Sequence, residues 1–151
     1  MAALTVVFDL DGTLVDTAPD LIETMNAVFT HDGLPPLDYA AARDMIGGGA
    51  RRMIESGLKF QGRVLADGVV DRMFADFIAH YGAHIADRSR PFPGVDAALD
   101  RLAACGCRFA VCTNKLERLS RLLLEALELV DRKSTRLNSS HEWISRMPSS
   151  A

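Results

Sequence analysis

The chain has 151 residues, 48% of them hydrophobic and 25% charged, the composition of a globular protein long enough to bury a core as one domain, or as one domain carrying an insertion. No apolar run nears the roughly 20 residues of a membrane-spanning helix and Met1-Ala-Ala-Leu4 lacks a basic leader segment, so the cytoplasm is the expected compartment and no membrane partner is expected. The net charge of -3 is uneven, since Lys133, Arg136 and Arg146 against Glu142 make residues 133–151 +2 and leave -5 for residues 1–132; an acidic body argues against a nucleic-acid partner but not against a phosphorylated metabolite, which local groups can hold.

Leu4 to Phe8 is a continuous apolar run rich in β-branched residues, and it predicts a buried strand. The run ends in Asp9-Leu10-Asp11-Gly12. On an extended backbone side chains two apart share a side, which would bring the Asp9 and Asp11 carboxylates to one small volume. A hairpin turn would need an alternating strand beyond it, whereas Thr17-Ala-Pro-Asp20 reads as a helix start. A calcium loop opening at Asp9 would need glycine at its sixth place, which is Leu14. The remaining reading is a nucleophile beside an acid/base around a hard cation, here magnesium.

The next residues alternate helix patterns with breakers. Leu21, Ile22, Met25, Val28 and Phe29 form a helical stripe ending at Gly33. Asp38 caps a helix over residues 39–46, Gly47-Gly48-Gly49 interrupts, and a further helix runs from Ala50 with Gly57 as its stop. Another spans about Val69 to His84. Residues 18–88 thus predict a strandless helical insertion, and Arg90-Pro91-Phe92-Pro93-Gly94 a stiff return to the core. A helix from Val95 to Gly106 and a buried strand at Phe109–Cys112 complete a βαβ unit, hence an α/β fold with a parallel sheet and ligands beyond its carboxyl edge.

Thr113-Asn114-Lys115 sits at such an edge, before a helix over about Leu116 to Leu129. A hydroxyl, an amide and free N–H groups at a helix start can cradle phosphate. The Leu116–Leu129 leucines are core-packing, too short a series for a zipper. Cys105, Cys107 and Cys112 are read as buried, reduced packing residues. His80 and His84 lie on one helix face but lack the glutamate of a His-Glu-x-x-His zinc motif, so they are read as a partly exposed face.

Phe8-Asp9-Leu10-Asp11-Gly12-Thr13-Leu14-Val15-Asp16-Thr17 resembles the first motif of the haloacid dehalogenase superfamily in its phosphatase branch. With Gly47-Gly48-Gly49-Ala50 and Thr113-Asn114-Lys115, the pattern is most similar to phosphoglycolate phosphatases and their relatives. The resemblance implies a Rossmann-like core formed by residues 1–17 and 89–132, with residues 18–88 as an α-helical cap. It implies Asp9 as the nucleophile that forms an aspartyl phosphate, and Asp11 as the acid that protonates the leaving alkoxide and later takes a proton from water. Magnesium would be held by Asp9 and Asp11, the phosphate by Gly12, Thr113 and Asn114, and the substrate would meet Gly48, Gly49 and Arg51 of the cap. Dehalogenases expel halide without a proton and lack the second aspartate, so Asp11 speaks for phosphate chemistry. A β-phosphoglucomutase-like phosphomutase keeps it and remains an alternative, as does an inactive binding module.

Residues 133–151 change character, with six serines against three in the preceding 132 residues and no helical or alternating period. They read as a foreign tail on an interrupted frame. The family's later lysine and acidic motifs find no match, and the chain is expected to be weakly stable and poorly active on its own.

Overall fold

The computed structural model describes residues 4–129. Its elements in chain order are β1 (Thr5–Phe8), β2 (Val15–Asp16), α1 (Ala18–His31), α2 (Tyr39–Arg43), α3 (Ala50–Phe60), α4 (Asp67–Ala83), β3 (Arg90–Pro91), α5 (Val95–Ala104), β4 (Arg108–Val111) and α6 (Glu117–Ala126). β1 and β4 pair in parallel, with Phe8 opposite Val111, as the βαβ reading requires. Helices pack against this sheet, which makes the fold α/β and Rossmann-like.

The helices α1–α4 all lie between β2 and β3, and these two short strands pair antiparallel, Val15 with Pro91 and Asp16 with Arg90. Both ends of the helical insertion therefore pass through one narrow neck. Two apolar clusters follow from this division. The first joins Ile22, Met25, Phe29, Met53, Ile54, Met73, Phe77 and Tyr81 across α1, α3 and α4. The second joins Leu10, Leu14, Val15, Phe109, Val111 and Leu123 around the parallel pair. Burying a side chain such as Phe29 or Phe77 stabilises by about 1.5–3 kcal/mol, so each cluster can hold its own body together. Leu119 of α6 belongs to the first cluster, which ties the two bodies together at the start of that helix.

Several expectations need correction. β1 is not buried: its residues alternate exposed and half-buried, with Val7 59% exposed and Leu4, just before it, 69%, because among the described residues it pairs with β4 alone. Gly57 does not stop α3, which continues to Phe60. A Cβ there would lie 2.8 Å from Phe29 and 3.0 Å from Leu37, so the glycine is present for close packing. Cys105 and Cys112 are exposed and Cys107 half-buried, all three unpaired, since the expected interior positions fall instead to Phe109 and Val111. The proposed tail lies outside the described residues. No helix among the described residues is long and apolar enough to cross a membrane.

Candidate active site

The parallel pair brings the two sequence motifs to one sheet edge. After the last register pair, Phe8 with Val111, the N–H of Cys112 still donates to the Phe8 carbonyl at 2.8 Å. Asp9 and, one residue beyond Cys112, Thr113 therefore leave the sheet at the same carboxyl edge, where ligands of parallel sheets bind.

The extended backbone assumed for Asp9 and Asp11 does not persist. β1 ends at Phe8, and the Leu10 carbonyl accepts from the N–H groups of Thr13, Leu14 and Val15, winding the chain into a tight turn. Asp9 is exposed, and its Oδ1 accepts from the N–H of Leu10 at 2.7 Å. Gly12 turns with φ +74° and donates its N–H to Val15 at 2.9 Å, so that N–H is already committed within the loop.

Asp11 faces the insertion instead. Its Oδ1 accepts the Thr17 hydroxyl at 2.8 Å and lies 3.1 Å from Lys115 Nζ, with the carboxylate side chain only 13% exposed. The first of these contacts replaces an expected helix cap: Thr17 stands at the N-cap of α1 but makes no side-chain capping bond there. Lys115 also donates to the Tyr81 hydroxyl at 2.9 Å, and its ammonium lies 4.2 Å from the centre of the Tyr81 ring. Burial pulls the Lys115 pKa below its ordinary 10.5, an effect opposed by the negative charge and hydrogen bond of Asp11. Burial pushes the Tyr81 phenol well above its ordinary 10.0, and the charges of Asp11 and Asp20 push it further.

A cavity of about 210 Å³ opens here between sheet edge and insertion. Its polar wall includes Asp11, the Gly47–Gly49 loop, Arg51, Asn114 and Lys115, and its apolar wall comes largely from the insertion, with Phe74, Phe77 and Ile78. Of the residues singled out in sequence, Asp11, Gly48, Gly49, Arg51 and Asn114 thus meet in one cavity. Asp9, Gly12 and Thr113 are not in its walls. Thr113 Oγ1 accepts from the Lys115 N–H at 3.2 Å, closing a local turn, and Asn114 Nδ2 donates to the Gly47 carbonyl at 2.9 Å across the cavity mouth. Arg51 forms a salt bridge with Asp71 and lies 5.3 Å over the Phe74 ring.

Lys115 and Tyr81 carry no role in the sequence reading. The signal for Lys115 was its place directly after Thr113-Asn114, in the turn that Thr113 Oγ1 closes before α6; Tyr81 falls inside the helix expected over about Val69 to His84, with nothing local to single it out. His80 and His84 stack with ring centres 4.6 Å apart, His80 bonded to Thr24 at 3.0 Å and His84 to Asp87 at 2.8 Å. Among the described residues no three His, Cys, Asp or Glu side chains converge as a metal cluster. The Asp9 carboxylate and the Asp11 main-chain carbonyl would be the hard oxygen donors of the first motif. Magnesium commonly takes one or two carboxylates and completes its shell with water and substrate phosphate, so this donor set suits it.

Comparison with known proteins agrees with this geometry. The chain matches the haloacid dehalogenase-like hydrolase family over residues 6–139. It is 46% identical over 125 residues to a phosphoglycolate phosphatase of Caulobacter vibrioides, covering 83% of this chain and 53% of that protein. It is 43% identical over 123 residues to a phosphoglycolate phosphatase of Agrobacterium fabrum, covering 82% and 53%. Among solved structures, a predicted phosphoglycolate phosphatase from Haemophilus somnus 129PT superposes with a TM-score of 0.73 at 31% identity, over 82% of this chain and 56% of that one. The chain thus spans about half the length of the curated relatives it matches. With its two motifs at one parallel sheet edge and a family match running through both of them, the chain belongs to the haloacid dehalogenase-like hydrolases.

Proposed function

We propose that this chain carries the nucleophile and the acid/base of a magnesium-dependent phosphatase acting on a small phosphate monoester, with phosphoglycolate as the first candidate. Residues 18–88 serve as the cap. The reading is supported above all by Asp11: an acid held on one oxygen by Thr17 and Lys115, in a cavity shared with the cap loop, within a family of hydrolases. The substrate class is drawn from relatives that are themselves phosphoglycolate phosphatases.

In the proposed reaction an Asp9 carboxylate oxygen attacks phosphorus as the ester P–O bond breaks. Asp11 gives its proton to the departing alkoxide. Water then attacks the phosphorus of the aspartyl phosphate, Asp11 takes its proton, and inorganic phosphate leaves with Asp9 restored. Bound magnesium would supply positive charge that lets a carboxylate approach an anionic phosphate. The Gly47–Gly49 loop and Arg51 contact the leaving group, and Thr113 and Asn114 the phosphate.

The test is release of inorganic phosphate from phosphoglycolate and from an aryl phosphate, with magnesium and with a chelator. The expected result is metal-dependent release that disappears in Asp9→Asn and falls steeply in Asp11→Asn. Release that survives Asp9→Asn would refute the proposal. A phosphomutase would instead convert a sugar phosphate to its isomer with no net release.

A further inference from the structure

Lys115 is a buried cation that the proposed reaction does not use. Its side chain is 5% exposed, and its partners come from two different bodies: Asp11 Oδ1 of the first-motif loop at 3.1 Å and the Tyr81 hydroxyl of α4 at 2.9 Å. An ammonium removed from water costs several kcal/mol unless its donors are met, and neither partner alone meets them. Asp11 Oδ1 also takes the Thr17 hydroxyl, so both donors converge on one oxygen. Oδ2 has no hydrogen-bond partner among the described residues, which leaves it for a leaving group. Among the described hydrogen bonds none joins Tyr81 to Asp11 directly, so the hydrogen-bonded link from the cap helix to that carboxylate runs through the lysine.

We propose that Lys115 is a positioning residue that couples cap closure to the setting of Asp11. With the cap down, the Tyr81 hydroxyl and ring face hold the ammonium, and the ammonium together with Thr17 holds Oδ1. When the cap lifts, Tyr81 is withdrawn, Lys115 returns to water, and the Asp11 carboxylate regains its rotational freedom. The neighbouring contact from Asn114 to the Gly47 carbonyl closes the other rim, so the Thr-Asn-Lys segment meets the cap at two points. The purpose of the coupling rests on the phosphatase reading; its test does not.

That test is chemical footprinting of the 151-residue chain without substrate, read by mass spectrometry. Acylation of Lys115 is measured against exposed Lys59, and carbodiimide labelling of Asp11 against exposed Asp38, with buried Asp20 as the sentinel of general loosening. Tyr81→Phe keeps the ring face and removes only the hydroxyl. It should raise the labelling of both Lys115 and Asp11 several-fold while Asp20 stays protected. In Lys115→Met, Asp11 should label faster than in the parent chain, and adding Tyr81→Phe should change it no further, because the same link is already cut. Parent-like labelling of Asp11 in Tyr81→Phe, an equal acceleration in the Lys115→Met background, or a parallel rise at Asp20 would each overturn the proposal. Phosphate release plays no part in this readout, so it stands whichever way the turnover assay falls.

Discussion

Asp20 and Ser89, 69 residues apart in sequence, are joined twice: the Ser89 N–H and hydroxyl donate to Asp20 Oδ2 at 2.7 and 2.6 Å. The Arg88 N–H adds bonds to both carboxylate oxygens at 2.9 and 3.1 Å. One side chain at the start of α1 thus satisfies the backbone just before β3, and staples the two ends of the insertion where they leave the neck. Asp20→Ala strands a buried hydroxyl and two N–H groups, and should cost about 3 kcal/mol of stability. Urea denaturation followed by circular dichroism measures it; a loss below about 1 kcal/mol would show that the staple is dispensable.

Thr17 supplies a hydroxyl to Asp11 rather than to its own helix. Thr17→Val keeps shape and removes that donor, so kcat/KM for phosphate release should fall about tenfold, equivalent to about 1.4 kcal/mol. Thr17→Ser should recover most of it. Stability should move far less than in Asp20→Ala, which separates the two roles in one pair of melting curves.

Two glycines in helices make opposite predictions. In Gly57→Ala the new methyl lies 2.8 Å from Phe29 and 3.0 Å from Leu37, and overpacking of about 1–3 kcal/mol outweighs the gain of about 1 kcal/mol in helix propensity. Gly68, in α4, has nothing within 4 Å of a Cβ, so Gly68→Ala should stabilise by about 0.5 kcal/mol. Thermal melts of the two variants should shift in opposite directions.

Alkaline titration reads the buried pair at the cap. The Tyr81 phenol keeps its proton in the folded state above its ordinary 10.0, so the unfolded chain loses that proton first and stability falls as pH rises past about 10. Lys115 acts in the other sense: its lowered folded pKa means that the unfolded chain holds the extra proton just below 10.5, so its contribution rises as pH climbs toward that value. Denaturant midpoints measured from pH 8 to 11 should show the fall, and Tyr81→Phe should flatten the part above about pH 10.

Periodicity made the helical insertion readable. Leu21, Ile22, Met25, Val28 and Phe29 recur at helical spacing, and all five are buried in α1. The parallel pairing followed from two apolar runs joined by a long crossover, and the acid pair from its place after the first of them. What failed were inferences that need a neighbour's identity. A glycine that ends a helix and one that admits a phenylalanine look alike in sequence, so Gly57 was misread. An apolar strand is buried only if something covers it, and Leu4 and Val7 remain open. Thr17 fits an N-cap pattern, but Asp11 lies within reach and competes for its hydroxyl. Lysine is ordinarily solvated, so nothing in the local pattern marks Lys115 as enclosed; only the packing of α4 against the start of α6 does that.

The ribbon formed by Val15–Asp16 and Arg90–Pro91 has a mechanical consequence. It begins beside Asp11, whose backbone bridges to Val15, while the Gly47–Gly49 loop belongs to the stretch between α2 and α3, outside the ribbon. A body swung about a fulcrum moves least next to it and most at its tip. A few degrees of rotation about it would therefore part the glycine rim from Asn114, while the acid's main chain barely shifts from its station above the sheet.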